Sequence, residues 1–289
     1  MRAALLIALG VIVGCHHDVA APARAVDAGS VAKVARAVRV TKVRGGVTRQ
    51  KPDGSTSAVN VGDELAADDI LITQAGGADL DVGGVADVEL AAETRVSIGE
   101  LTDTLSKVRL RDGRIAAVVH GAARGSLQVD VPGSSAVASA SDGEFSMLSS
   151  GSQLSVATKT GQVTLSARGR SVRIGSGQLS IVERDQPPTA PQPLPPSLFL
   201  KLGEAHAVTQ RAKKTTVHGE TAPGAVISIN GVKLVADDKG EFSASVPLKE
   251  GANTLVVEST DALGRHERAA LPRITVDTSA PEAKTKVEW

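Results

Sequence analysis

The sequence predicts an all-β protein, and three observations carry that expectation. From Val38 onward, apolar residues recur at every second position, the period at which a strand sends its side chains to one face. Short Gly-centred segments, "DGR", "PGS", "SDGE" and "TGQ", punctuate the alternation, as hairpin turns do. The alternating runs return roughly every 8 to 12 residues, which suits sheets built from hairpins or a short solenoid.

Composition narrows the function classes. The 289 residues carry 32 basic and 32 acidic side chains, so no general field attracts nucleic acid, and no nucleic-acid partner is expected. Three Phe, one Trp and no Tyr leave almost no aromatic platforms for stacking bases or sugars. One Cys excludes an intrachain disulfide, so the cores must be built from Val, Ile, Leu and Ala. The length is enough for two ordinary domains.

The chain opens on Arg2 and an apolar run from Ala3 to Val13, broken only by Gly10. This is the charged-then-apolar layout of a secretory signal over residues 1–14. As a helix the run reaches about 17 Å, against about 30 Å of hydrocarbon, too short for a comfortable span. "IVGC", Ile12 to Cys15, resembles the bacterial lipobox. The resemblance implies cleavage after Gly14, lipidation of the Cys15 sulfur and acylation of its new amine. The chain would then be lipid-anchored in the cell envelope, with the membrane as a partner. One acyl chain holds marginally, and the several chains of a mature lipoprotein hold firmly. In that family an Asp directly after the Cys retains some members in the inner membrane. His16 stands there, so the outer membrane is expected. His16, His17 and Asp18 read as solvated tether rather than as metal ligands, because no complementary cluster lies near them. The tether runs over residues 15–37.

Residues 38–183 form the first expected β domain. "ADLDV" puts Leu80 and Val82 on one face, "DVELA" does so with Val88 and Leu90, "RVSIG" with Val96 and Ile98, and "LQVDV" with Leu127, Val129 and Val131. "QLSVAT", "QVTLSA", "SVRIG" and "QLSIV" continue the pattern. Residues 184–196, "RDQPPTAPQPLPP", hold six prolines and read as a stiff extended spacer between domains. Residues 197–278 alternate again, with "INGVK" and "DDKGEF" as turn chemistry, and suit a small β-sandwich. Residues 279–289 read as a polar, loose tail.

Two stretches resemble known families. Gly46-Val47, Gly62-Asp63-Glu64-Leu65 and Asp69-Ile70-Leu71-Ile72-Thr73 resemble the "GV", "GD.L" and "D.I.T" pattern of the FecR-type periplasmic domain. "VDVPGSSAVASASDGEFSML" and "GQVTLSARGRSVRIGSGQLSIV" resemble its later strands, although Asp142-Gly143 stand where that family has Gly-Thr. The stretch from Val217 to Arg268 resembles bacterial immunoglobulin-like domains, including the accessory B domain of glucodextranase. Such domains serve as spacers or adhesion modules.

No catalytic signature stands out. There is no GxSxG elbow, HExxH or phosphate loop, and the six His are scattered. "DLDVGGVAD", Asp79 to Asp87, reads as a hairpin turn rather than a calcium loop, because Gly83 occupies a ligand position. The expectation is therefore a non-enzyme with no cofactor or metal, presenting two β domains for contact with an unknown envelope protein or glycan. The candidate contact loops are Asn230–Gly231, Asp237 and Asp238 within the 237–241 turn, and Asp261 within the 261–265 turn. The same residues also simply make turns. Two alternatives stay open. A FecR-like transducer would act on a sigma factor, but regulators of that kind place a cytoplasmic segment before a membrane helix, and here only a signal-like run and a tether precede the β domain. A carbohydrate-binding accessory role conflicts with the low aromatic count.

Overall fold

The alternation in the sequence becomes paired strands in the computed structural model, which describes residues 37–121, 124–184, 186–203 and 208–279. These residues are all-β and contain no α-helix. Gly14, Cys15, the tether as far as residue 36 and residues 280–289 lie outside the described residues. All described residues belong to one compact unit, 35–289.

The first lobe begins with β1 (Val38–Arg44), β2 (Val47–Gln50), β3 (Thr56–Ala58), β4 (Glu64–Leu65) and β5 (Ile70–Thr73). It continues with β6 (Gly77–Val82), β7 (Ala86–Leu90), β8 (Arg95–Leu101), β9 (Leu105–Val119) and β10 (Ser126–Asp130). It ends with β11 (Val137–Ala140), β12 (Gly143–Ser149), β13 (Gln153–Ala167), β14 (Arg170–Gly175), β15 (Gln178–Glu183) and β16 (Gln192–Pro193). The ladder is continuous but makes two layers, because β9 and β13 each run through both. Leu105–Asp112 of β9 pairs with β8 and, in parallel, with β10, whereas residues 113–119 pair with β7 and β12. Residues 153–161 of β13 pair with β12 and β15, and residues 162–167 pair with β11 and β14.

The corners fall at glycine. Gly113 has φ +94° and Gly161 φ +76°, and Gly161 pairs with Gly143, itself at φ +94°. "DGR" and "TGQ" are therefore not hairpin turns, as the sequence pattern suggests, but bends inside single long strands. Glycine serves both uses, since it adopts positive φ without a Cβ clash and lets a strand switch sheets. "PGS" does join two strands, β10 and β11, and Gly83-Gly84 closes the β6–β7 hairpin, where Asp81 accepts the Gly84 N–H.

Between the layers lies one aliphatic core. Leu80, Leu90, Ile115 and Met147 from one sheet meet Leu71, Ile98, Leu110, Leu127 and Leu165 from the other. Burying each such side chain contributes about 1.5–3 kcal/mol. The motif residues singled out by family resemblance hold the layer ends. Asp69, almost fully buried, pairs with Arg49 and accepts the Ala66 N–H. Thr73 Oγ1 donates to the Ala91 carbonyl at 2.6 Å and accepts the Thr94 N–H at 2.8 Å. Asp63 accepts the Asn60 N–H at 2.9 Å.

The second lobe comprises β17 (Leu200–Leu202), β18 (Val208–Gln210), β19 (Lys214–Thr221), β20 (Val226–Ile229), β21 (Val232–Val235), β22 (Glu241–Pro247), β23 (Gly251–Asn253), β24 (Val256–Thr260), β25 (His266–Ala270) and β26 (Ile274–Val276). Its sheets run β17-β19-β22 and β21-β20-β24-β25, with β18-β26-β23 beside them. Val217, Phe242 and Val246 pack with Ile227, Ile229 and Val257 as its core. The end of β26 is tied down by Thr278, whose N–H and hydroxyl donate to Glu250 and hold that carboxyl below its ordinary range.

The proline-rich segment is not a free spacer. Gln192 and Pro193 pair with Leu179 and Gln178 as an added edge strand beside β15. Thr189 donates its N–H to the Ile181 carbonyl, and Leu194 donates to Gly177. An edge strand needs hydrogen bonds on one side only, and the non-proline residues between the prolines supply the donors.

The second lobe docks on the outer face of the first sheet rather than projecting away. Leu148, Ala157, Leu179 and Ile181 point outward from β12, β13 and β15 and cluster with Ala262, Leu194, Val226 and Leu263. Ser155 Oγ donates to the Gly224 carbonyl at 3.0 Å, and Gln153 Nε2 donates to the Ala236 carbonyl at 3.2 Å. Consequently β12, β15 and the first half of β13 are buried on both faces.

Candidate functional site

Docking leaves a cleft of about 870 Å³ between the lobes, within the size range of small-molecule sites. The bend of β9 sets one wall. It turns Asp112 and Arg114 toward the cleft on either side of Gly113. The β12–β13 connection adds Ser149, Ser150, Ser152 and Gln153, and the second lobe supplies Lys233, Leu234, Thr260, Gly264 and His266. Leu148 and Val226 carry the apolar interface into its floor.

Several of these polar groups are already committed. Ser149 Oγ donates to the Arg111 carbonyl at 2.9 Å. Thr260 Oγ1 lies 3.3 Å from His266 Nδ1. Lys233 Nζ meets Glu93 at the rim and joins the two lobes by an ion pair. Arg114 differs. Its half-buried guanidinium has no ion-pair or hydrogen-bond partner among the described residues. It lies against the backbone of Gly264, where a Cβ would stand 2.7 Å from Cζ. Asp112, exposed on the same wall, also has no such partner.

The loops singled out from sequence occupy other roles. Asn230 (φ +48°) and Gly231 (φ +89°) make the β20–β21 turn, and Asn230 bridges to Thr254 and Val256. Asp237 accepts N–H groups from Lys239 and Glu241, while the Asp238 carbonyl accepts from Gln192 Nε2 of the proline-rich segment. Asp261 is nearly buried and paired with Arg265 at 2.6 Å, and Arg265 Nη1 donates to the Pro195 carbonyl at 2.9 Å. The 261–265 turn thus faces the linker segment and the first lobe, whereas the 237–241 turn stays exposed at Asp238, Lys239 and Glu241 and touches the linker segment through the Asp238 carbonyl. None of the candidate loop residues lines the cleft, although Gly264 of the 261–265 turn does. Asp112 and Arg114 carry no local signal in the sequence, because "DGR" reads as an ordinary turn and the facing wall is more than a hundred residues away in the chain.

No family model matches this chain, and no curated protein matches it. Two crystal structures described as an anti-sigma factor from Parabacteroides distasonis ATCC 8503 are similar, both with a TM-score of 0.37, at 16% and 15% identity. Each match covers 42% of this chain and 57% of that protein. A polysaccharide lyase is similar at 9% identity with a TM-score of 0.22, over 82% of this chain and 40% of the lyase. The chain therefore spans little more than half the length of the anti-sigma factor and less than half that of the lyase.

Proposed function

We propose that the chain is a non-enzymatic, lipid-anchored envelope protein of the outer membrane, held through Cys15, whose two β lobes make contacts with an envelope protein or glycan. In this reading the first lobe is FecR-like and the second immunoglobulin-like. The observation that carries it is the docking of the second lobe on the first through Leu148, Ala157, Leu179 and Ile181. Two sheets locked together make a fixed two-lobed surface, and rigid β scaffolds are the common support for recognition. The motif residues Asp63, Asp69 and Thr73 act as staples of that scaffold.

The anchor is tested by Cys15→Ser. The variant is expected to leave the membrane pellet, as a soluble or uncleaved form, because the lipid attachment atom is lost. An unchanged pellet fraction, with no lipid-labelled band in the parent, contradicts the anchor. The contact role is tested by crosslinking in intact envelopes. A reproducible partner is expected with the lipidated chain. Turnover of a glycan or peptide by the purified chain, abolished by one carboxylate or serine change, contradicts the non-enzymatic reading.

A further inference from the structure

We propose that the interlobe cleft binds an acidic saccharide unit, a sugar carrying one carboxylate beside vicinal hydroxyls. The proposal rests on the contact reading and narrows its glycan side to one site. Arg114 lines the cleft with a guanidinium that has no ion-pair or hydrogen-bond partner among the described residues and lies close to Gly264, where any side chain would collide with it. A planar fork of N–H donors matches a carboxylate in two parallel hydrogen bonds. Asp112, two residues away on the same wall and also unpartnered, is an acceptor and suits hydroxyl donors. A ligand that satisfies both must therefore carry an anionic acceptor and hydroxyl donors within one small unit. Ser150 and Ser152 line the same cleft, but their hydroxyls lie 3.3 Å from each other and Ser150 Oγ also donates to the Gln153 carbonyl at 3.3 Å, so the site's polar recognition falls to Arg114 and Asp112. The floor of Leu148 and Leu234 is aliphatic, which suits the C–H face of a sugar ring in a chain with so few aromatic residues. The volume, about 870 Å³, leaves room for more than one ring.

Calorimetric titration of the purified full chain tests this with D-glucuronate, D-glucose and acetate as probes. Glucuronate is expected to bind with a Kd of about 1 mM or tighter, and ahead of both other probes. Arg114→Gln is expected to weaken glucuronate binding about tenfold or more, as loss of a charge-assisted hydrogen bond does. Arg114→Lys is not expected to restore it, because an ammonium cannot fork. Asp112→Asn provides an independent reading and is expected to lower affinity without affecting acetate. Arg173→Gln, on the second sheet away from the cleft, is expected to change nothing. Thermal unfolding of each variant establishes that it is folded. Absence of glucuronate binding, equal binding of glucose or acetate, or full affinity in both Arg114→Gln and Asp112→Asn would each overturn the assignment. A partner captured in envelopes together with a silent titration removes the cleft site alone and leaves the contact role standing.

Discussion

Gly113→Val is expected to destabilise the first lobe by about 3–5 kcal/mol. Gly113 stands at the corner of β9, with φ +94°, a region that β-branched side chains essentially do not enter. A Cβ there would lie 2.5 Å from both Cα and Oγ1 of Thr94 and 2.7 Å from the Glu93 carbonyl. Thr94 cannot give way. It is buried and bonded on several sides, accepting the Arg114 N–H at 3.1 Å and donating its own N–H to Thr73. Strained backbone costs about 1–3 kcal/mol and overpacking against fixed atoms costs a similar amount. Urea unfolding of variant and parent measures the loss. A variant as stable as the parent would mean that β9 does not turn its corner at this residue.

Ile181→Asp is expected to uncouple the lobes. Ile181 is fully buried, yet it points away from the core of its own lobe and into the patch shared with Ala262 and Leu263. A carboxylate there meets no partner, and burying it unpaired costs several kcal/mol. Undocking returns it to water and leaves both aliphatic cores intact. One cooperative unfolding transition in the parent should therefore become two in the variant. Tryptic cleavage after Arg184 should also accelerate, because the segment loses its ties to the second lobe, from Gln192 Nε2 to the Asp238 carbonyl and from Arg265 Nη1 to the Pro195 carbonyl. A single transition with unchanged cleavage would contradict the docking.

The all-β class was legible because period-two alternation is a local property, visible in runs such as "ADLDV" and "RVSIG" without any partner strand. The place where β9 and β13 bend was not. Glycine at positive φ serves a hairpin and a corner alike, and only the neighbouring strands decide between them. Docking did leave a trace in the sequence. Met147-Leu148, Val156-Ala157 and Ile181-Val182 put apolar residues at adjacent positions, so both faces of those strands are greasy, as strands covered on both sides are. The proline run hid its edge pairing, since six prolines in thirteen residues outweigh the donors of Thr189 and Leu194 in any local reading. Arg114 could not be singled out from sequence, because its setting depends on Gly264, far along the chain.

The central claim, that the second lobe sits on the first and encloses the cleft, is tested most directly by zero-length carbodiimide crosslinking followed by peptide mass spectrometry. Lys233 Nζ and Glu93 Oε2 are in contact across the lobes, and Lys159 Nζ and Glu144 Oε1 lie 2.9 Å apart within the first lobe. The account predicts an amide link at both pairs, each formed within a single chain. Recovery of the Lys159–Glu144 link without the Lys233–Glu93 link would contradict it.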